Sequence, residues 1–181
     1  MKHCQEFRYI PPNFCIALLF FILAIIQASF FPYFAIMGAV PNVVFALFFI
    51  LIFFEEKQEY SVGFFTAILA GFFMDVFLPF YFGVSMIILL SIYFLQKLVV
   101  GFLKEGQDKY PILYFIPTFS ACFILYYAAW YLVSLFSSIK LNFGFITLVS
   151  LAYTLVFACI GFYLYKKFFY KKDEGKQLKL L

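Results

Sequence analysis

Gly63, Ala67, Gly71 and Asp75 recur in steps of four, and they end on the only acidic residue inside the long apolar runs of this chain. A carboxylate in such a run can relay a proton, hold a cation, serve acid–base chemistry or hydrogen-bond across a helix contact. Facing hydrocarbon it would cost at least ~2.5–3.5 kcal/mol, so it must face protein or water. On a helix, steps of four drift by only about 40° each, which keeps the four residues near one face. Small residues on that face let a second backbone approach closely, and the acid can bond across the contact. Two readings follow: an internal seam whose Asp75 caps a neighbouring helix or binds a loop amide, or a face that receives a partner.

Catalysis and ion transport are disfavoured residue by residue. A proton or ion path needs further acids or bases among the apolar runs, and Asp75 stands alone there. The only histidine, His3, precedes the first apolar run, so Ser–His and Cys–His nucleophile pairs cannot form within the runs. There is no HExxH and no second carboxylate for metal or acid–base work. Cys4, Cys15, Cys122 and Cys159 have no metal-site spacing, and three of them fall in apolar runs, where cysteine acts as a small hydrophobe. The chain is expected to be no enzyme and to need no cofactor.

A second stripe, Thr147, Ser150, Thr154, Ala158 and Gly161, has heptad-like spacing and suits close contact with another helix, most simply an internal one. Gln27 and Gln96 are lone amides in apolar surroundings, expected to bond to neighbouring helices.

Elements that position these residues follow from composition. The chain is 66% hydrophobic, 25% aromatic and only 12% charged, far from the ~25% charged residues of an ordinary soluble domain. Residues 9–54, 110–139 and 141–165 carry no charge. The pattern predicts an all-α membrane protein, a six-transmembrane-helix bundle with spans at about 14–31, 42–54, 60–78, 84–102, 112–136 and 143–165. The second span is short for the ~20 residues that hydrocarbon demands. A basic tail, 166–181, completes the single domain.

With the N-terminus in the cytoplasm, Lys2, Arg8, Lys57, Lys104, Lys109 and the tail lysines all fall inside, Lys97 snorkels to the same side, and only Lys140 lies outside. This predicts a multi-pass protein with both termini cytoplasmic. The tail lysines alternate with Asp173 and Glu174 and suit anionic lipid rather than nucleic acid. The same topology predicts that Gln27, Asn42, Asp75 and the proline-marked loops gather at the external end.

From Gln27 to Gly83 the chain resembles the rod-shape-determining protein MreD family. The matching features are Gln27 with Ser29, Pro32, Pro41 opening a helix, Gly63, and Gly71-Phe72-Phe73-Met74-Asp75 followed by Pro79 and Gly83. Asn42 stands where the family often carries an acidic residue.

The resemblance implies a scaffold of the cell-elongation and peptidoglycan-synthesis machinery (the elongasome) in the bacterial inner membrane. It further implies binding to MreC and, through it, connection to MreB, RodA and a penicillin-binding transpeptidase. It also implies an architecture like that of the substrate-binding components of energy-coupling-factor transporters. Asp75, Gly71 and Pro79, then Gln27, Pro41 and Asn42, are the expected organisers of the external end. The rival expectation is a vitamin- or small-ligand-binding transport component, with a polar pocket built from Gln27, Asn42, Asp75 and loop residues.

Overall fold

A computed structural model describes residues 12–55, 60–77, 81–107, 111–136 and 144–169. They form six α-helices: α1 (Pro12–Ser29), α2 (Val43–Phe53), α3 (Tyr60–Phe77), α4 (Val84–Gln107), α5 (Pro111–Phe136) and α6 (Phe145–Phe169). A 3-10 turn, Phe31–Phe34, follows α1.

α2 is the centre of the bundle. It has no polar face, and a helix that is apolar all round must be buried on all sides. Nine of its 11 residues are buried. It is packed by α1, α3, α5 and α6. Its Phe45, Phe49 and Phe53 repeat every four residues and interleave with Phe115, Phe119 and Phe123 of α5, which repeat likewise. Phe45 meets Phe123 at 5.4 Å and 87°, Phe49 meets Phe119 at 5.2 Å and 89°, and Phe53 meets Phe115 at 5.1 Å and 88°. Edge-to-face pairs of this kind add about 0.5–1.5 kcal/mol each beyond area burial. Six of the 31 phenylalanines therefore form a ladder holding α2 to α5.

The α1–α2 connection turns sharply at Ile36–Ala39, where each residue's N–H donates to the other's carbonyl at 3.1 and 2.9 Å. Met37 (φ 52°) and Gly38 (φ 79°) both adopt left-handed backbone, as a two-residue turn of this hand requires. Glycine takes that conformation without the strain that Met37 bears.

Helix length corrects the expected six-transmembrane-helix bundle. By length and composition, two described helices are long and apolar enough to cross a membrane, Pro111–Phe136 and Phe145–Lys167. The other apolar stretches, Phe14–Ser29, Val43–Phe53, Val62–Phe77 and Val84–Val99, are shorter. At 1.5 Å per residue α2 rises only about 16 Å, half of a hydrocarbon layer about 30 Å thick. The fold is thus an all-α, six-helix bundle with two helices of spanning length.

The multi-pass inner-membrane placement with both termini cytoplasmic rested on six crossings and is corrected with it. The cell-shape and elongasome roles that the resemblance implies likewise draw no support from this fold, in which only two described helices reach spanning length. Two boundaries also move. Lys104–Gln107, beyond the predicted fourth span at about 84–102, continue α4, and α6 runs past Lys166, the expected start of the tail, to Phe169.

Candidate functional site

Asp75 is 3% exposed, at the end of α3. Its Oδ2 accepts the Gly83 N–H at 2.8 Å and its Oδ1 the Ser85 N–H at 3.0 Å. Those amides open α4. The first N–H groups of a helix have no partner within it, and the positive end of the helix dipole favours a carboxylate there. Asp75 thus caps α4 from the preceding helix, with Gly83 at φ 96° completing the turn. Ser85 carries the network onward: its Oγ lies 3.4 Å from the Tyr126 hydroxyl, which accepts the Trp130 indole N–H at 2.9 Å.

The small residues below Asp75 face α4, and this helix pair makes the most extensive contact in the bundle. A Cβ on Gly71 would lie 2.6 Å from the Met86 backbone nitrogen. Ala67 has no exposed surface. A Cβ on Gly63 would collide with Glu55 and Tyr93. The stripe is filled by the chain's own backbone and side chains along its length.

Gln27 and Asn42 meet at the start of α2. Gln27 Oε1 accepts the Val44 N–H and Asn42 Oδ1 the Phe45 N–H, both at 3.0 Å. Side-chain oxygens therefore cap two successive amides of the first turn. α6 braces the same entry. Thr154 Oγ1 accepts the Asn42 N–H at 3.0 Å, and Ser150 Oγ donates to the Val40 carbonyl at 2.9 Å. Farther along α6, Ala158 is fully buried and a Cβ on Gly161 would lie 2.6 Å from Ile50 Cδ1. The second stripe packs on α2.

A cavity of about 510 Å³ opens beside these caps, lined by Gln27, Pro41, Asn42, Thr147, Ser150 and an aromatic wall that includes Tyr126 and Trp130. It brings Gln27 and Asn42 together as expected for the rival reading. Asp75 is not among its lining residues; it sits behind the wall, turned to α4. Pro79 lies outside the described residues, as do His3, Cys4 and most of the basic tail.

Sequence reasoning missed a second buried acid. Glu55, between the second and third predicted spans, has a side chain only 4% exposed and pairs with Lys97 at 2.6 Å. Its Oε1 accepts the Gly63 N–H at 2.6 Å, so Glu55 caps the start of α3 much as Asp75 caps α4. Lys97 does not snorkel; it also lies 5.6 Å from the centre of the Tyr93 ring. A signal was available: an acid just before a helix start, with a glycine in that helix's first turn.

Gln96, 2% exposed, makes no hydrogen bond through either amide atom, unlike the helix-to-helix bond expected of it. A buried polar group without a partner costs about 1–3 kcal/mol. Gln96→Met keeps the length and removes the polar atoms, so it should stabilise the chain by about that amount. Denaturant unfolding checks this, and a less stable variant would contradict it.

Among the described residues no group of three or more His, Cys, Asp or Glu side chains is placed to hold a metal ion. Comparison with known proteins returns no matching family model, no matching curated protein and no matching solved structure. The expected likeness to energy-coupling-factor components therefore has no structural match behind it.

Proposed function

We propose that the chain is a non-catalytic scaffold that binds a single-pass helical partner of the MreC type by helix packing, in the service of cell elongation. The observation that carries this reading is an exposed stripe on α4. Ile87 (68% exposed), Ser91, Phe94 (56%) and Leu98 (68%) follow one another at steps of 4, 3 and 4. That is the spacing of a seam that accepts a second helix. Large apolar side chains gathered on one outer face need a covering of protein or lipid. The resemblance from Gln27 to Gly83 supports the choice of partner. The stripe at Gly63–Asp75 is not offered as that seam, because α4 already occupies it.

In cells, a photo-crosslinking residue at Leu98 should capture an MreC-type partner, and Phe94→Glu should abolish its co-recovery in mild detergent without unfolding the bundle. Depletion of the protein should turn rods into spheres. Unchanged shape with no such partner recovered would sink the proposal.

A further inference from the structure

The cavity beside the α2 caps has features that the scaffold reading does not use. We infer that it is a binding site for a flat, uncharged ring bearing carbonyl acceptors. Gln27 and Asn42 spend their carbonyl oxygens on the Val44 and Phe45 amides, which fixes the orientation of both carboxamides. Their NH2 groups are left with no protein acceptor among the described residues, although Asn42 is only 7% exposed and both residues line the cavity. Carboxamide N–H donors on two residues lining one cavity call for a ligand that offers acceptors.

Charge and shape narrow the class. Among the described residues no Asp, Glu, Lys, Arg or His lines the cavity, and an ion buried without a partner is strongly disfavoured, which favours a neutral ligand. Phe73, Phe77, Tyr127 and Trp130 contribute aromatic surface to the walls, which favours a ring stacked or set edge-on against them. The volume of about 510 Å³ falls in the range of roughly 300–1,000 Å³ usual for small-ligand pockets. Quinones and ring-carbonyl nitrogen heterocycles share this chemistry.

Trp130 is the only tryptophan in the chain and lines the cavity, so its fluorescence reports on this one place. The full-length chain in mild detergent is titrated separately with menadione, a quinone, and lumichrome, a heterocycle; the probe that saturates identifies the source.

Two variants preserve the fold while changing the site. Gln27→Glu keeps an acceptor for the Val44 amide and removes the donor, and Ala28→Phe fills the cavity mouth from a position whose side chain is exposed. Saturable quenching by at least one probe, weakened at least ~10-fold in both variants, is the expected result. Quenching by both probes that rises only linearly, as for N-acetyltryptophanamide, or saturable binding that either variant retains, would overturn the inference.

Discussion

Gly71→Ala is expected to destabilise the bundle by about 2 kcal/mol or more, although the same exchange in an open helix gains about 0.5–1 kcal/mol. The reason is the close approach of α3 and α4. The added methyl would lie 2.6 Å from the Met86 nitrogen and 2.9 Å from its Cγ, and at least the first of these is backbone that cannot rotate away. Overpacking of a tight core costs about 1–3 kcal/mol, and here it must also outweigh the helical gain. A companion change, Gly144→Ala, meets nothing within 4 Å and should leave stability nearly unchanged. Denaturant midpoints compare the two. A Gly71→Ala protein as stable as the parent would mean that the two helices do not approach this closely.

Asp75→Ala should cost more, about 3–5 kcal/mol. The part-buried Gly83 amide and the buried Ser85 amide lose their acceptor, at about 1–3 kcal/mol each, and the favourable charge at the α4 start is lost as well. Asp75→Asn keeps one acceptor and should lose about half as much. The graded order of parent, Asn and Ala is the diagnostic feature. Equal losses for Asn and Ala would point to charge alone, and no loss in either would remove the cap from the structure.

The sequence was most legible where polar residues are scarce. Asp75, Gln27 and Asn42 stood out because each is a lone polar group in apolar surroundings, and each is a cap on a helix start. The seam reading of Gly63, Ala67 and Gly71 was open from spacing alone, but spacing cannot say which helix fills a seam. The contact with Met86 supplies that. Span counting went astray because hydropathy registers apolar character without recording what covers it. α2 is apolar because phenylalanines from α5 enclose it, and its 11 residues are core length.

Glu55 and Lys97 were misread for a related reason. Local context places an acid beside a charged run in a loop, whereas its partner lies 42 positions away on α4 and becomes visible only when α3 and α4 are packed together. Of the polar pocket expected from Gln27, Asn42, Asp75 and loop residues, the cavity holds Gln27, Asn42 and loop residues such as Pro41, but not Asp75. Its aromatic wall comes from α3 and α5, which sequence order does not bring to the same place.

Asp75 and the seam beneath it are internal devices that fix α4 on α3. Residue-resolved amide hydrogen exchange at Gly83 and Ser85 tests this most directly. Both amides should be protected in the parent chain and lose more protection in Asp75→Ala than the amides of Phe119 and Phe123 in α5, whose loss reports only the global destabilisation. Equal exchange at Gly83 and Ser85 in the two proteins would contradict the assignment of Asp75 as the cap of α4.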